Sequence, residues 1–442
     1  MGREGETVMK EPECRTVEPA RAGLRGEIVV PGDKSVSHRA VMLASLARGT
    51  SHIRNFLPGA DNFSTVNAMR ALGVPVTELG NNVLEIAGVG LDGLQEPQDV
   101  IDCGNSGTTV RLLTGILAAQ PFFSVLSGDA SLRRRPMKRV SGALAGMGAR
   151  ITGRHGGENL PLAVSGGNLH PFRYNSPVAS AQVKSALLLA GLFCEGQTTV
   201  CEPYPSRDHT ERMLSFFGAR VEASPGQVTV YGRPQLCGRE LTVVGDISSA
   251  AFFMVAALLV PDSQLRLVNV GVNPTRDGIL EVLRNMGAHL ELENRREEAG
   301  EPVADILVRT SALHGVEIGG ALIPRLIDEL PVLCVAAALA EGTTVIRDAR
   351  ELRVKETDRI AAMAEELAKL GVAVETHDDG MIIRGGASFQ GANVKSHGDH
   401  RIAMSMAVAG LRASSAVSIA DAACTDISFP GFWEQLQGIV SR

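Results

Sequence analysis

Two kinds of apolar run alternate along the whole chain. The first is a stretch of small and aliphatic residues without a polar face, which predicts a helix buried on all sides, followed by a turn and a β-rich run. It recurs as the segments LASLARGTSHIRN, GILAAQPFFSVLSG, AGLFCEGQTTVCE, VAALLVPDSQLRLVN, AAALAEGTTVIRD and VAGLRASSAVSIAD. Self-similarity at a spacing of roughly 65–80 residues indicates a repeated structural unit.

The second run is an amphipathic helix closed by glycine and followed by a strand. The closing glycines are Gly73, Gly148, Gly218, Gly287 and Gly371. Only glycine adopts the left-handed conformation without steric cost, so each is predicted to end its helix. A sixth helix, around Trp433–Val440, ends the chain without its strand. The pattern predicts six β-α-β-α-β-β units, with buried helices wrapped by short sheets.

Length, charge and cysteine content narrow the class of protein. A chain of 442 residues is predicted to form two or three domains, and its net charge of -6 does not favour nucleic acid or an acidic membrane surface. An anionic ligand would therefore need a local cluster of Lys and Arg. Seven cysteines without a CxxC pair favour a reducing cytoplasm. The polar stretch 1–20 has no apolar core of a signal peptide and is predicted to be a loose extension.

Polar and cationic residues recur where a predicted strand gives way to a helix. They are Lys34, Ser35 and Arg39 after the strand Glu27–Val30, Asn105 and Gly107 in a Gly-rich turn, Arg135 after a basic turn, and Ser180, Gln182 and Arg207 near later helix starts. Backbone N–H groups and the helix dipole favour an anion at such positions. For any one segment, a helix cap or a solvated turn remains an equal or better explanation.

The segment RVKETDRI is the most informative one. A helix beginning near Glu356 would place Lys355 and Arg359 four residues apart on one face, with Glu356 beside them for proton transfer. Asp328 leads a strongly apolar helix, and Arg401 stands at another helix start. Because stacked repeats present equivalent ends on one side, these groups are predicted to converge in a pocket for a multiply charged anion.

Two motifs that suggest cofactors fail on context. Gly88–Gly93 has the GxGxxG spacing of dinucleotide-binding loops, but no helix follows it. His397, Asp399 and His400 resemble a metal cluster without a plausible further ligand, so structural roles are favoured. We predict no cofactor and no metal.

Seven segments together resemble one family. They are PGDKSVSHR, GNSGTTVRL, SAQVKSALLLAGL, GDISSAAFF, RVKETDRI, GDHRIAM and FPGFWEQL, in the family's order. From about Arg21 to its end, the chain resembles the EPSP synthases of the enolpyruvyl transferase family. The resemblance implies an inside-out α/β fold of two similar domains, each with three βαβαββ repeats. Residues 21–33 with 246–442 would form a discontinuous domain and 34–245 the other, with hinges near Pro31–Lys34 and Val243–Asp246.

The resemblance also implies a reaction and the residues that carry it. The carboxyvinyl group of phosphoenolpyruvate would pass to the 5-hydroxyl of shikimate 3-phosphate, releasing phosphate, in aromatic amino acid biosynthesis. The catalytic residues would be Lys34, Asp328 and Glu356. Shikimate 3-phosphate would contact Lys34, Ser35, Arg39, Ser180, Arg207, Asp328 and Lys355. Phosphoenolpyruvate would contact Lys34, Asn105, Gly107, Arg135, Gln182, Arg359 and Arg401.

Two positions depart from the family pattern, and two other functions stay open. Ala181 stands where other members have serine, and Ala422–Ala423 where others carry a lysine, which puts that lysine contact in doubt. A sister enzyme acting on UDP-N-acetylglucosamine uses a loop cysteine, but the loop before Pro136 has none. An inactive anion-binding repeat scaffold is the other alternative. We expect a cytoplasmic monomer with small-molecule substrates and neither a nucleic acid nor a membrane partner.

Overall fold

The computed structural model describes residues 14–440, in which short strands alternate with helices. The elements up to residue 242 are β1 (Arg15–Val17), β2 (Arg25–Val29), α1 (Lys34–Leu46), β3 (Arg48–Arg54), α2 (Ala60–Ala71), β4 (Val76–Gly80), β5 (Val83–Val89), β6 (Ile101–Asp102), α3 (Gly107–Ala118), β7 (Phe123–Ser127), α4 (Lys138–Ala145), β8 (Arg150–Gly153), the short turn α5 (Arg154–Gly157), β9 (Asn159–Ser165), β10 (Arg173–Asn175), α6 (Ala181–Gly191), β11 (Gln197–Cys201), α7 (His209–Phe217), β12 (Val221–Ser224), β13 (Gln227–Tyr231) and β14 (Glu240–Thr242).

The remaining elements repeat the same succession. They are α8 (Ile247–Leu259), β15 (Gln264–Gly271), α9 (Gly278–Asn285), β16 (His289–Glu298), β17 (Glu301–Arg309), β18 (Glu317–Ile318), the single turn α10 (Ile323–Leu326), α11 (Leu330–Leu339), β19 (Thr343–Ile346), α12 (Arg359–Lys369), β20 (Val374–His377), β21 (Gly380–Arg384), β22 (Asn393–Lys395), α13 (His400–Gly410), β23 (Val417–Ala420) and α14 (Phe432–Val440).

Each repeat builds one small sheet around a buried helix. Five sheets have four strands and the sixth has three, in orders such as β6-β7-β9-β8. Within that sheet β6 runs parallel to β7, with Ile101 opposite Leu126, and β9 runs antiparallel to both β7 and β8. The helix that connects the two parallel strands, here α3, packs against its counterpart in the next repeat, α6. The predicted repeats with helices inside and sheets outside are confirmed.

The apolar composition of the first-type helices explains their position. All residues of α8 are buried, from Ile247 to Leu259, because the helix offers no polar face to water. The second-type helices end as predicted: Gly73, Gly148, Gly218, Gly287 and Gly371 all have φ between 84° and 104°. Within residues 14–440 no helix combines the length and apolarity needed to cross a membrane.

Two segments, one after β2 and one after β14, connect the two halves of the molecule. Strand β2, near the N-terminus, lies beside β15, and β14 returns to lie beside β3. The connecting segments run side by side, with Gly32 bridged to Gly245 and the Asp33 amide donating to the Val244 carbonyl at 2.7 Å. A Cβ on Gly32 would lie 1.9 Å from the Asn55 carbonyl oxygen, so only glycine fits this crossing.

The buried apolar side chains form two clusters on either side of this crossing. One is built from residues 17–30 and 247–439. The other is built from residues 36–244, joined by Val303. We call these the C-terminal half and the N-terminal half, according to where most of their residues lie.

The prediction of a loose extension over residues 1–20 is wrong at its C-terminal end. Strand β1 pairs antiparallel with β23, with Val17 opposite Val417, and thereby supplies the strand that the sixth repeat lacks. Without β1 that edge of β23 would leave backbone N–H and C=O groups unpaired, and the buried position that Val17 fills would be empty. Residues 1–13 lie outside the described part of the chain.

Candidate active site

The long buried helices begin beside one another at the boundary of the two halves. Their first N–H groups are capped by side chains of Asp33 in α1, Ser106 in α3, Ser180 in α6, Asp246 in α8 and Asp399 in α13. Contact across the boundary is direct, since the Lys34 amide donates to Asp246 Oδ2 at 3.3 Å. This arrangement brings the candidate residues of the two halves together.

Asp328, just before α11, lies close to several positively charged side chains. Its carboxylate lies 2.6 Å from Arg207 Nη2, 3.2 Å from Arg359 Nη1, 3.7 Å from Lys355 Nζ and 3.9 Å from Arg401 Nε. Arg207 comes from the N-terminal half, so this pair spans the boundary. Burial alone would raise the pKa of Asp328, but the surrounding positive charges, Lys355 first, hold it well below its usual range.

Glu356 is the second carboxylate of the cluster and also faces both halves. Its oxygens lie 2.7 Å from Arg359 Nη2 and 3.8 Å from Arg135 Nη2, and Arg135 belongs to the N-terminal half. Burial alone would raise the pKa of Glu356, but the positive charges around it, led by Arg359, lower that pKa well below its usual range. In the ligand-free protein at neutral pH, Glu356 therefore carries no proton.

The helix predicted to begin near Glu356 begins later, which corrects the predicted geometry. Asp358 caps α12 by accepting from the Ala361 amide, so Lys355 and Glu356 precede the helix and follow a 3-10 turn over Arg350–Val354. Asp fits an N-cap better than the interior of a first turn, which explains the shift. Arg359 and Lys355 consequently reach Asp328 from a helix and a loop, and not from one helical face.

Arg135 is held by a network of polar groups from the Gly-rich turn. Its Nη2 donates to Asn105 Oδ1 at 2.6 Å, and Arg111 Nη1 donates to Gln182 Oε1 at 2.8 Å. A Cβ on Gly107 would lie 2.9 Å from Arg111 Nη1 and 3.4 Å from Arg135 Nη1. The glycine therefore leaves room for both guanidinium groups at the start of α3.

Lys34 lies at the same boundary, at the start of α1. Its ammonium lies 2.5 Å from Asp61 Oδ2. Burial raises the pKa of Glu356, and the positive charge of Lys34 helps to lower it, though less than Arg359 and Arg135 do. Burial would raise the pKa of Asp61 too, but Lys34 lowers it. Lys34 is thus an ammonium within electrostatic reach of Glu356.

Three residues that are predicted to contact shikimate 3-phosphate lie outside the cluster around Asp328 and Glu356. Arg39 is buried and donates to Thr210 Oγ1 at 2.6 Å, to Ser185 Oγ at 2.8 Å and to the Ser35 carbonyl at 2.9 Å. Ser180 caps α6 by accepting from the Val183 amide. In this structure the side chains of Arg39 and Ser180 contact other protein groups, and the Ser35 carbonyl accepts from Arg39. Their substrate roles stay predictions.

Two arginines of the cluster were missed by sequence reasoning. Arg276 is 3% exposed and lies within 4.0 Å of carboxylates on Asp33, Asp246, Asp328 and Glu329. It stands outside every motif we singled out, so its isolated position in the sequence gave no signal. Arg111 belongs to the segment GNSGTTVRL and could have been found from that segment alone.

Asp399 and His400 lie beside the two carboxylates of the site. Asp399 Oδ2 accepts from Arg359 Nε at 2.7 Å, which fixes the guanidinium between Asp328 and Glu356. His400 is 2% exposed, and both its ring nitrogens lack a hydrogen-bond partner within residues 14–440. Burial lowers the pKa of His400 to about 4, so the ring is neutral at pH 7.

His397 has carboxylate neighbours that could hold a cation. Its Nε2 lies 2.6 Å from Glu366 Oε1, and Glu365 is close by. The Lys369 ammonium, however, donates to Glu365 at 3.0 Å and to Glu366 at 2.8 Å. The ammonium group of Lys369 thus already occupies the place beside these two carboxylates that a bound cation would take.

The chemical capacity of the site follows from this geometry. Arginines and lysines from both halves create a concentrated positive field that suits an anion with several charges. Two carboxylates, Asp328 and Glu356, stand inside that field and can exchange protons with a bound molecule.

A sequence profile described as EPSP synthase (3-phosphoshikimate 1-carboxyvinyltransferase) matches residues 19–436. The chain belongs to the EPSP synthase family. The 3-phosphoshikimate 1-carboxyvinyltransferase of Syntrophotalea carbinolica is 62% identical over 416 residues, which cover 94% of this chain and 96% of that relative. The enzyme of the same name from Geobacter sulfurreducens is 61% identical over 424 residues, covering 96% and 98%.

Solved structures agree with this family membership. The EPSP synthase from Acinetobacter baumannii superimposes with a TM-score of 0.87 at 45% sequence identity, covering 97% of this chain and 98% of that one. The enolpyruvyl transferase NikO from Streptomyces tendae has a TM-score of 0.79 at 17% identity, with 97% of each chain covered. The NikO likeness shows the fold alone, and the predicted two-domain inside-out α/β architecture is confirmed.

Proposed function

We propose that this protein transfers the carboxyvinyl group of phosphoenolpyruvate to the 5-hydroxyl of shikimate 3-phosphate and releases phosphate. The observation that carries the proposal is the cluster around Glu356 and Asp328, in a chain of the EPSP synthase family. Arg135 and Arg207 reach these carboxylates from the N-terminal half, while Arg359 reaches them from the C-terminal half. Both substrates carry phosphate and carboxylate groups, which match this field.

The binding assignments divide the cations between the substrates. Phosphoenolpyruvate would lie against Lys34, Asn105, Gly107, Arg135, Gln182, Arg359 and Arg401. Shikimate 3-phosphate would lie against Lys34, Ser35, Arg39, Ser180, Arg207, Asp328 and Lys355. The missed residue Arg111 supports the first group, because it donates to Gln182 beside Gly107.

Addition is the first chemical step of the proposed reaction. A proton moves from Glu356 to the methylene carbon of phosphoenolpyruvate while the 5-hydroxyl oxygen attacks the neighbouring carbon. Asp328, assisted by Lys34, takes the proton of that hydroxyl. The product of this step is a tetrahedral ketal phosphate, with the new C–O bond formed and the C=C bond used up.

Elimination is the second step. The bond between the ketal carbon and the phosphate oxygen breaks, and the departing phosphate takes up the proton that Asp328 removed from the hydroxyl. The new methyl group returns a proton to Glu356, and the C=C bond forms again. The guanidinium groups of Arg135 and Arg359 stabilise the charge that builds up on the departing phosphate. Such preorganised electrostatic stabilisation is usually the largest contribution to catalysis.

The low pKa of Glu356 sets a condition on the addition step. Glu356 must hold a proton to act as an acid, yet burial is outweighed by Arg359 and its neighbours, which keep the free carboxyl ionised. The negative charges of phosphoenolpyruvate would offset those cations and raise the pKa of Glu356. Binding of phosphoenolpyruvate would thus allow Glu356 to hold the proton that it then transfers to the methylene carbon.

We also propose that residues 21–33 with 246–442 move against residues 34–245 as two domains. The separation of the two apolar clusters at the crossing supports this division. The paired segments at Gly32 and Gly245 would act as the hinge. Because one chain supplies both sides of the site, we propose that the protein acts as a monomer.

Phosphate release with two alternative acceptors tests the proposed function. We expect phosphate to appear when phosphoenolpyruvate is mixed with shikimate 3-phosphate, and not when UDP-N-acetylglucosamine replaces it. Release with only the nucleotide sugar would support the sister activity, and release with neither would support an inactive scaffold. Reactions without an acceptor provide the background rate.

A further inference from the structure

A basic cavity, separate from the candidate active site, lies beside the segment that carries Arg135. It has a volume of about 500 Å³ and is lined by Ala130, Arg133, Arg134, Arg154, His155 and Asn159. No acidic residue lines it. By contrast, a cavity of about 440 Å³ near Trp433 is lined by Arg15 together with Asp426 and Glu434, so both signs of charge are present there.

The three arginines of the basic cavity differ from most others in the protein. Across residues 14–440, the guanidinium groups of Arg133, Arg134 and Arg154 have no carboxylate within 4.0 Å and donate no hydrogen bond to another residue. Like charges gathered around one cavity repel each other unless an anion lies between them. Arg133, Arg134 and Arg154 are all exposed, and all three line the same space.

Backbone geometry holds two of the lining residues in place. His155 and Gly156 both have left-handed conformations, with φ of 52° and 68°, and Gly157 has φ of 83°. A left-handed conformation is uncommon for a residue other than glycine, and such strain tends to occur at ligand sites. The turn places Arg154 and His155 at the same cavity wall.

Asn159 connects this wall to the candidate active site. Its Nδ2 donates to the carbonyls of Arg134 at 3.1 Å and Arg135 at 3.4 Å. The amide oxygen is then left to accept from His155 Nδ1 at 2.9 Å, which fixes the ring. A ligand in the cavity would therefore rest against the segment that presents Arg135 to Glu356.

We propose that the basic cavity is a second binding site, for a small anion of the phosphate class. Guanidinium groups match phosphate oxygens through paired charge-assisted hydrogen bonds, and no carboxylate competes for them in the cavity. Inorganic phosphate and the phosphate group of phosphoenolpyruvate share this chemistry. The site does not depend on the proposed reaction, since it uses none of the candidate catalytic residues.

Equilibrium dialysis with radiolabelled inorganic phosphate tests the site. We expect two classes of bound phosphate in the wild type, one of them at the candidate active site. Arg154→Gln should weaken the second class about tenfold, the effect of losing one charge-assisted contact. Arg150→Gln is the matched control, because Arg150 is exposed on β8 but does not line the cavity.

The outcomes separate this proposal from the proposed reaction. A single class of bound phosphate in the wild type, or equal effects of Arg154→Gln and Arg150→Gln, would overturn it. Turnover at saturating substrate should be unchanged in Arg154→Gln, so a loss of binding does not depend on activity. Competition with unlabelled phosphoenolpyruvate shows which phosphate compound the basic cavity binds. If it displaces labelled phosphate from both classes, the cavity binds organic phosphates. If it displaces labelled phosphate only from the candidate active site, the cavity binds inorganic phosphate.

Discussion

At the scale of single residues, the site keeps two carboxylates ionised within a positive field. Asp328 is 14% exposed and has cations on several sides. Its pKa in the folded protein lies well below its usual value because those charges, Lys355 first, outweigh burial. The unfolded chain has no such cluster, so ionised Asp328 contributes to stability as well as to chemistry.

The stability of Asp328→Asn should depend on pH. A carboxyl whose folded pKa is depressed contributes stability that is fully present above its unfolded pKa, about 3.9, and is lost as pH falls through the folded pKa. We expect Asp328→Asn to cost on the order of 2 kcal/mol at pH 7, with the difference from wild type shrinking below about pH 4.

Urea denaturation at pH 7 and pH 3.5 measures this difference. Asp378→Asn is the control, since Asp378 is an exposed carboxylate outside the cluster. A deficit for Asp328→Asn that is equally large at both pH values would show that its charge is not the cause.

Gly107 should tolerate no larger residue without loss of anion binding. The new Cβ in Gly107→Ala would lie 2.9 Å from Arg111 Nη1 and 3.4 Å from Arg135 Nη1, so both guanidinium groups must shift. We expect the KM for phosphoenolpyruvate to rise about tenfold, the effect of weakening one charge-assisted contact. Inhibition by glyphosate, which we expect the unoccluded pocket to admit, should weaken as well.

Steady-state kinetics of Gly107→Ala and Gly142→Ala provide the comparison. Gly142 lies in α4, and a Cβ there meets no atom within 4 Å, so its substitution should leave KM unchanged. Equal KM values in both variants would contradict the proposed role of Gly107.

At the scale of elements, sequence patterns predicted the interior better than the helix starts. The six apolar runs correctly predicted the buried helices, and the glycine after each leucine-rich turn correctly predicted where the second-type helices end. The start of α12 was misplaced because Glu356 and Asp358 are both plausible first-turn residues, and only the capping bond to Ala361 decides between them. Cap geometry depends on tertiary packing of the preceding loop, which periodicity does not encode.

Strand β1 shows the same limit for a non-local contact. Three residues were too short a pattern to identify as a strand, and their partner β23 lies about 400 residues away. Strand β1 joins the sheet of the last repeat although it lies at the opposite end of the chain, so no local pattern predicts the pairing.

Val17→Ala should test whether β1 is part of the fold. Val17 is 7% exposed and packs against Gly410 of α13. Removing its two methyl groups should cost about 2 kcal/mol, from lost burial and the cavity left behind. Thr16→Ala changes the exposed neighbour and should fall within about 0.5 kcal/mol of wild type. Indistinguishable urea midpoints for the two variants would mean that β1 is not held as described.

At the scale of the whole molecule, the site exists only where the two halves meet. Ion pairs across the boundary join opposite charges, as in Arg207–Asp328 and Arg135–Glu356. Partly exposed ion pairs are each worth only about 0–1 kcal/mol, so these two pairs contribute little to holding the halves together. Substrates that bind both halves would favour the closed arrangement.

Small-angle scattering can detect the closure. We expect the ligand-free protein to have a larger radius of gyration than the present structure, and the complex with both substrates to match it. Substrate binding with unchanged scattering curves would contradict domain closure, and shikimate 3-phosphate alone serves as the intermediate condition.

Much of the candidate site could be predicted because the repeats place equivalent helix starts together. Four residues predicted from such positions lie at the boundary of the two halves: Lys34, Gly107, Asp328 and Arg401. Arg276 was not found, because it precedes a second-type helix and reaches its carboxylates only through tertiary packing. Charge alone could not have distinguished it from the exposed arginines.

The most direct measurement is the single-turnover rate of Glu356→Gln with both substrates, alongside their dissociation constants. Glutamine keeps the shape of Glu356 but cannot deliver the proton, while the cations that would hold the substrates remain. We predict that the rate falls about 10²-fold or more and that both dissociation constants change little. A Glu356→Gln variant that turns over at the wild-type rate would contradict the account.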